Sequence, residues 1–149
     1  MPVLMQTQVL PVAREILWDF VSTPLNLNDI TPPDMAFEIL GEIPEHTFAG
    51  QLIEYRIQIP VIGRTRWTTE IMEVEDGIFF VDCQRKGPYK SWVHRHCLED
   101  VDEGTKMTDE IHYFLPFGIF GQLAHLLFVK PTLARIFRYR REQFEKIFP

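Results

Sequence analysis

Two histidines and two aspartates are the residues of this sequence whose types and spacing could do chemistry. His94 and His96 are separated by one residue, so on a β-strand both side chains lie on the same face. Asp82 and Asp109 fall in the two predicted strands that precede and follow the strand with the histidines. Carboxylates beside imidazoles can form a structural hydrogen-bond network, anchor the polar end of a ligand, or orient a histidine as a general acid or base. The sequence leaves these three alternatives open.

In the catalytic alternative, His94 or His96 would move protons while Asp109 orients the imidazole ring. A His-x-His pair is also a metal-binding pattern, but zinc and iron sites need three or four ligands at matched geometry. We therefore expect no metal. The chain has no Gly-x-Gly-x-x-Gly, phosphate-binding loop, Cys-x-x-Cys or Gly-x-Ser-x-Gly motif, and no cofactor is expected either.

The elements that must position these residues follow from hydrophobic periodicity and turn residues. The predicted order is a strand at 3–10, helices at 12–21 and 25–30, six strands, and a long helix at 118–147. The six strands are predicted at 37–40, 51–59, 65–74, 78–84, 89–98 and 106–115, with turns at 41–45, 62–64, 76–77, 86–88 and 102–104. Strands joined in sequence by short turns form an antiparallel meander. The predicted fold class is α+β, with a curved sheet of about seven strands wrapped around the C-terminal helix, in one domain covering 1–149.

The long helix must bury an apolar side against the sheet. That side is predicted from helical spacing to consist of Leu123, Leu126, Leu127, Leu133, Ile136, Phe137 and Phe144. Pro131 is expected to kink the helix. The apolar run 117–121 before it could form a cavity lip or a shallow membrane contact, but we expect it to pack as the helix cap.

Alternation within the strands predicts which residues face the space under the helix. The turn at 76–77 predicts a two-residue hairpin that sets Glu75 opposite Ile78. Counting outward predicts two sets of cross-strand neighbours, namely Asp82 with Trp92 or His94, and His96 with Asp109 or Ile111. The predicted ligand-binding residues on this face are Tyr55, Trp67, Phe80, Asp82, Gln84, Trp92, His94, His96, Asp109, Ile111 and Tyr113.

Charge and composition limit which partners the protein is expected to bind and where in the cell it is expected to be. The net charge of -6 argues against nucleic-acid binding. The segment from Ile119 onward is nevertheless basic, with six basic and two acidic residues, and could meet an anionic ligand head group, a membrane surface or RNA. We expect it instead to be a solvated helix face laid against an acidic sheet. No leader-like N-terminus and no run of about 18 apolar residues is present, so we expect no transmembrane segment. Cys83 and Cys97 fit neither a disulfide framework nor a zinc site, and a cytoplasmic location is expected.

Several motifs in order resemble the SRPBCC group of the START-like superfamily, which includes polyketide cyclase/dehydrase and lipid-transport relatives. They are Phe80-Val81-Asp82-Cys83-Gln84, Gly87-Pro88-Tyr89, Trp92-Val93-His94-Arg95-His96, Thr105-Lys106-Met107-Thr108-Asp109, Tyr113-Phe114-Leu115-Pro116-Phe117-Gly118 and Ile136-Phe137-Arg138-Tyr139-Arg140. The resemblance covers essentially the whole chain. It implies a helix-grip fold with a hydrophobic cavity, in members that range from aromatase/cyclases to steroid, lipid or quinone carriers.

These observations lead to one expected function and two alternatives. The expected function is binding of a small hydrophobic or amphipathic ligand (a lipid, quinone, steroid-like or polyketide-like compound) between the sheet and the last helix. The first alternative is a polyketide cyclase or dehydratase that uses His/Asp acid-base chemistry in the same cavity. The second is an interaction module that docks on a macromolecule through the basic C-terminal helix.

Overall fold

A computed structural model describes residues 2–42, 45–59 and 62–149 of the chain. Seven strands form one antiparallel sheet in the order β1-β7-β6-β5-β4-β3-β2. Their bounds are β1 (Val3–Leu10), β2 (Glu38–Leu40), β3 (Leu52–Ile59), β4 (Gly63–Glu75), β5 (Phe79–Lys86), β6 (Ser91–Val101) and β7 (Gly104–Phe114). The sheet and the long C-terminal helix confirm the predicted α+β architecture.

Short helical segments connect β1 to β2. Helix α1 spans Arg14–Val21, and two 3-10 helices follow at Pro24–Ile30 and Pro33–Met35. Each 3-10 helix has a proline in its first turn, where the missing N–H would have had no intrahelical partner. The two predicted short helices are therefore present, the second in 3-10 form. The predicted turn at 41–45 lies partly outside the described residues.

The C-terminal helix runs through 118–147 with one irregular turn. Helix α2 (Gly118–Ala124) leads into a π-helical turn (His125–Val129), which leads into α3 (Lys130–Ile147). Pro131 has no N–H, and its ring would collide with the carbonyl of residue 127 in a regular α-helix. A π-helical turn directly before the proline widens the helix at this point. The irregularity predicted at Pro131 takes this form.

Helix α3 packs on the concave face of the sheet. Its buried side chains are Leu133, Phe137 and Phe144. Two glutamines of β1 attach the helix by its backbone: the Gln6 Nε2 donates to the carbonyl of Phe137 at 3.2 Å, and the Gln8 Nε2 to the carbonyl of Arg141 at 2.9 Å. These bonds hold the helix beside one edge of the sheet.

The first half of the C-terminal helix differs from the prediction. Leu123, Leu126 and Leu127 are 55–63% exposed, so they do not belong to the buried apolar side. The run 117–121 does not pack as a cap either, because its large side chains point into solvent. The physical reason lies at Gly121, which backs onto the chain so closely that an added Cβ would meet the Pro116 carbonyl oxygen. Gly121 is the buried residue of α2, so a glycine and not a leucine or phenylalanine occupies the inner side of this helix.

The β4–β5 hairpin also differs from the prediction at its turn. Glu75 pairs with Phe79, not with Ile78, because the loop contains three residues. A register shift between Ile71 and Glu73 offsets this extra residue on the other strand, so Ile71 pairs with Asp82. The two irregularities cancel. The face predicted for Asp82 is therefore the face it occupies.

Two smaller findings concern the sequence expectations on membranes and cysteines. Within the described ranges, no helix is both long enough and apolar enough to cross a bilayer. Cys83 and Cys97 are free thiols, both half-buried.

Candidate functional site

A cavity of about 190 Å³ lies between the sheet, α3 and the first 3-10 helix. Its walls are aliphatic and aromatic over most of their area, with side chains such as Ile30, Ile53, Trp67 and Phe137. The histidine and carboxylate side chains of the wall form one cluster, namely Asp82, His94, His96 and Asp109, with Arg140 on α3.

The strands bring the two histidines and the two aspartates together as their register predicts. Asp82 on β5 lies opposite His94 on β6, and His96 lies opposite Asp109 on β7. The side-chain hydrogen bonds run along the diagonals. The His94 Nε2 lies 2.8 Å from the Asp109 Oδ1, and the His96 Nε2 lies 2.6 Å from the Asp82 Oδ2. Each imidazole therefore has its own carboxylate.

Ring stacking fixes the two imidazoles relative to each other. The His96 ring lies between two others, with its centroid 4.0 Å from that of Phe80 and 3.6 Å from that of His94. The His96 Nδ1 is also 3.5 Å from the Asp109 Oδ1, so this carboxylate faces both rings. Stacking and hydrogen bonding together restrict ring rotation, which is the arrangement that a positioned acid, base or ligand anchor requires.

Burial sets the charge states of the His94–Asp109 pair. Removal from water, reinforced by the neighbouring His96, lowers the pKa of His94, so its ring is neutral near pH 7. Burial alone would raise the pKa of Asp109, but the hydrogen bond from His94 and nearby positive charge outweigh it and hold that pKa at about 2. Asp109 is thus an ionised acceptor, and the His94 Nε2–H donates to it. The His94 Nδ1 then keeps its lone pair.

The same cluster contains a possible set of metal ligands. Asp82, His94 and His96 each offer one atom, and these atoms lie within 4.8 Å of one another. Zinc holds its nitrogen and oxygen ligands at about 2.0–2.2 Å. Both Nε2 atoms are already bonded to carboxylates, so an ion bound through Nε2 would have to displace these hydrogen bonds. The absence of a metal stays a prediction from the sequence.

Aromatic rings form a continuous part of the cavity wall. Tyr55 stacks on Trp67 at 5.9 Å between centroids, and Trp67 meets Trp92 edge to face at 5.3 Å. Burial raises the pKa of Tyr55 and of Tyr89, so both remain phenols that can donate hydrogen bonds. The indole Nε1 of Trp67 is buried and has no hydrogen-bond partner within the described residues. A buried N–H of this kind can donate to a ligand that enters the cavity.

Eight of the eleven predicted site residues line the cavity: Tyr55, Trp67, Phe80, Asp82, Trp92, His94, His96 and Asp109. The other three lie elsewhere. The Gln84 side chain bonds the backbone of Tyr89 through both its amide nitrogen and its oxygen. Ile111 is fully buried in a separate apolar cluster with Tyr113, whose hydroxyl lies 2.6 Å from the His125 Nε2.

None of the predicted ligand-binding residues lies on a helix, although Leu133, Ile136, Phe137 and Phe144 were predicted for the apolar side of the last helix, and the helices form part of the cavity wall. The helical residues of the wall include Leu27, Ile30, Thr132, Leu133, Ile136, Phe137, Arg140 and Phe144. A signal for Arg140 was present, since it lies three residues after Phe137 and four before Phe144. That spacing places a basic residue within the apolar stripe of the helix.

Arg140 is the cationic group of the cavity wall. Its guanidinium lies over the Phe137 ring, 4.9 Å from the centroid. Its Nε is buried without a partner in the described part of the chain. Its positive charge contributes to the low pKa of Asp109. The cavity therefore offers acceptors, donors and one cation within an apolar enclosure.

Solved structures share this architecture over their whole length. A protein from Chromobacterium violaceum is 12% identical with a TM-score of 0.71, covering 99% of this chain and 98% of that chain. The major latex-like protein 151 of Panax ginseng is 11% identical with a TM-score of 0.67, covering 99% of this chain and 97% of that chain. The chain has a helix-grip fold.

The helix-grip fold also occurs as part of a longer protein. The nucleoside-diphosphate sugar epimerase of Corynebacterium glutamicum is 24% identical with a TM-score of 0.68, covering 96% of this chain and 28% of that chain. No family model matches this chain, and no curated protein sequence matches it. At these identities the comparisons establish the fold and nothing narrower.

Proposed function

We propose that the protein binds a small apolar or amphipathic molecule in the cavity between the sheet and α3, with the His/Asp cluster holding its polar end. One observation carries the proposal: in a cavity with largely aromatic and aliphatic walls, the histidine, aspartate and arginine side chains of the described lining are gathered at one place. Ligand sites commonly have this composition, with apolar walls for contact and a few convergent polar groups for orientation. A cytoplasmic location, expected from the sequence, belongs to the same proposal.

The cavity volume favours a ligand of one or two rings or a short chain. About 190 Å³ is below the roughly 300–1,000 Å³ of sites that take drug-sized molecules. A cavity of about 150 Å³ can hold a benzene molecule. Among the ligand classes expected from the sequence, a quinone or a polyketide-derived aromatic ring fits this space, whereas a steroid or a long lipid requires wall side chains to move.

The polar groups favour a ligand with a carbonyl or hydroxyl oxygen. The Trp67 N–H lacks a partner in the described residues and is a donor for such an oxygen. The phenols of Tyr55 and Tyr89 offer two more donors. A bare hydrocarbon would leave the buried Trp67 N–H unpaired, which costs on the order of 1–3 kcal/mol. An oxygen-bearing ligand satisfies it.

A second candidate function is acid-base catalysis on a polyketide-like substrate. The observation in its favour is the His94–Asp109 pair, because a neutral imidazole oriented by an ionised carboxylate is the arrangement of a general base. The His94 Nδ1 would take the proton and the cavity would hold the substrate in a reactive conformation. The interaction-module alternative receives less support, because Arg141 donates to the Thr7 carbonyl of its own fold.

Binding and catalysis are separated by one pair of measurements on His94→Gln. Calorimetry with naphthoquinone, a small oxygen-bearing aromatic probe, measures binding. Mass-spectrometric product analysis after incubation with a poly-β-keto thioester measures turnover. A binding protein returns the thioester unchanged, and the variant keeps affinity within about tenfold of the wild type. A cyclised product that appears with the wild type and vanishes with the variant would instead establish the enzyme.

The control substitution is Met72→Ser, on an exposed side chain of β4 outside the cavity. It should leave both measurements unchanged. If the wild type neither binds the probe nor converts the thioester, while Met72→Ser and wild type unfold alike, the proposed function is wrong.

A further inference from the structure

The beginning of the C-terminal helix exposes an unusual concentration of apolar surface. Phe117, Ile119 and Phe120 are 82%, 75% and 76% exposed. With four further exposed side chains they form what we term the apolar patch: Phe117, Ile119, Phe120, Leu123, Leu126, Leu127 and Phe128. Single exposed apolar residues are normal, but seven large ones within twelve consecutive positions mark an interaction surface.

The outward orientation of the patch is built into the backbone. Gly121 seats α2 against the Pro116 carbonyl so closely that no side chain could replace it there. Phe117, which precedes the helix, has a left-handed backbone with φ of 70°. A non-glycine residue in this region is strained by about 1–2 kcal/mol. The chain thus places its smallest residue inward and holds Phe117 in solvent.

The sequence spacing within the patch is that of an amphipathic helix. Residues 119, 120, 123, 126 and 127 recur at i, i+1, i+4, i+7 and i+8, the pattern by which an α-helix buries an apolar face, and the last two lie in the π-helical turn. Here that stripe faces water. An apolar stripe of this kind is normally buried. Because the other side of the helix already contacts the protein, the stripe requires a lipid or protein partner from outside the chain.

The charges around the patch decide between occupants. No acidic residue occurs between Glu110 and Glu142, in a chain whose net charge is -6. Exposed Lys130 follows the patch directly, and exposed Lys90 lies over the ring of Phe114 at 5.5 Å. A helix with an apolar face and flanking cations is the pattern of a segment that lies in the interface of an anionic bilayer.

A second copy of the chain fits these charges less well. A two-fold interface places the same patch on both sides, so both copies of Lys130 border one interface. No carboxylate of the segment 111–141 is available to compensate them. Negatively charged lipid head groups would neutralise both lysines.

We propose that the apolar patch docks the protein on the surface of an anionic lipid bilayer, with Phe117, Ile119 and Phe120 inserted at the level of the head groups. The depth of insertion is about 5–10 Å, as for other interfacial helices. This docking goes beyond ligand binding and does not depend on it. It brings the cavity close to the bilayer, because Thr132 on the cavity wall lies only four residues beyond Phe128.

Vesicle flotation of the full chain tests the proposal. Vesicles of phosphatidylcholine with phosphatidylserine are compared with vesicles of phosphatidylcholine alone. We expect the wild type to float with the anionic vesicles and the double substitution Phe117→Ser/Phe120→Ser to bind at least tenfold more weakly. Lys130→Gln should reduce binding about fivefold, at roughly one lysine's contribution, and added salt should reduce the wild type's binding.

The matched control removes two exposed apolar side chains on the sheet, Met5→Ser/Met72→Ser, and should float like the wild type. Phe120→Trp keeps the patch apolar and adds a fluorescent readout. The emission of this tryptophan should shift to the blue on anionic vesicles and be quenched by brominated lipid.

Two results would overturn the proposal. One is a wild type that stays in the aqueous fraction. The other is a concentration-dependent dimer that Phe117→Ser/Phe120→Ser dissociates, which would assign the patch to a second copy.

Naphthoquinone binding is measured on the same variants. If the patch variants still bind naphthoquinone but no longer bind the vesicles, docking and ligand binding are separate properties. If the wild type floats without binding the probe, the ligand proposal fails and the docking proposal stands.

Discussion

The ring of His96 stacks on the ring of His94 with their centroids 3.6 Å apart, yet the two histidines bond to different carboxylates. Neighbouring imidazoles on one strand face would repel if both were charged. A separate carboxylate for each ring, together with the lowered pKa of His94, removes that conflict. The cluster is therefore a stable part of the cavity wall as well as a candidate anchor.

Asp109 should be the most costly member of the cluster to remove. It is almost fully buried and accepts the hydrogen bond from His94, whose Nε2–H would lose its partner. We expect Asp109→Ala to lower the free energy of unfolding by about 2–3 kcal/mol, as for a buried hydrogen bond to a charged group. Urea unfolding measures this. Glu99→Ala, an exposed change on β6, is the control. A loss for Asp109→Ala as small as that of the control would show that the bond adds nothing to stability.

His94 should make the protein less stable as the pH falls below about 6.5. Its pKa is lowered in the folded state, so the unfolded chain takes up a proton that the folded chain does not. The stability that this group contributes is complete above the unfolded pKa and is lost as the pH falls toward the folded one. The free energy of unfolding should therefore fall more steeply for the wild type than for His94→Gln between about pH 7.5 and about pH 5. Parallel curves would contradict the assignment of a neutral His94.

Asp109 adds a second pH range, at lower pH, in which stability is also lost as the pH falls. Its folded pKa of about 2 is below the ordinary 3.8, so its contribution is present above that ordinary value and is lost as the pH falls to about 2. The stability difference between wild type and Asp109→Asn should accordingly shrink over this range. Chemical denaturation at several acidic pH values provides the measurement, and a difference that stays constant would show that Asp109 is not the ionised partner.

The sequence predicts the sheet around the cluster well because strand alternation is a strong signal. Turns and period two limit the partner of Asp82 to Trp92 or His94 and that of His96 to Asp109 or Ile111, and the structure has His94 and Asp109. The diagonal hydrogen bonds do not follow, because they depend on rotamers that the stacking on Phe80 selects. The β4–β5 hairpin reached the right face through two deviations that offset each other, which no turn rule anticipates.

The prediction for the first half of the last helix was wrong for a different reason. Periodicity finds an apolar stripe but does not say whether protein or another phase covers it. The inner side of α2 is occupied by Gly121, packed on the Pro116 carbonyl, and the glycine in the sequence does not predict such a contact. The place of Arg140 on the cavity wall was readable from its spacing, but only by treating helix and sheet together.

Gly121 should tolerate no side chain. A Cβ at this position would meet the Pro116 carbonyl oxygen, and this neighbour is backbone that cannot swing away. We expect Gly121→Ala to destabilise the protein by about 1–3 kcal/mol, although alanine is the better helix former. Thermal unfolding measures the effect. Gln122→Ala, an exposed neighbour on the same helix, is the control and should be neutral. A stabilised Gly121→Ala variant would show that α2 is not seated on Pro116.

Trp67 should recognise an oxygen atom of the ligand. Its buried N–H has no partner in the described residues, and phenylalanine keeps most of the ring contact while removing the donor. We expect Trp67→Phe to weaken naphthoquinone binding about fivefold, as for the loss of one hydrogen bond, and to leave naphthalene binding unchanged. Calorimetry with both probes measures the ratio. Equal losses for the two probes would mean that Trp67 contributes only contact area.

Native mass spectrometry of the freshly purified protein, before and after addition of naphthoquinone, tests the ligand-binding account most directly. Thr132→Trp fills the cavity from α3, and Thr132→Val is its control, which removes the hydroxyl without adding volume. The account predicts a one-to-one adduct on the wild type and on Thr132→Val, and none on Thr132→Trp. A bare protein mass for the wild type with and without the probe, or an adduct that survives Thr132→Trp, would contradict it.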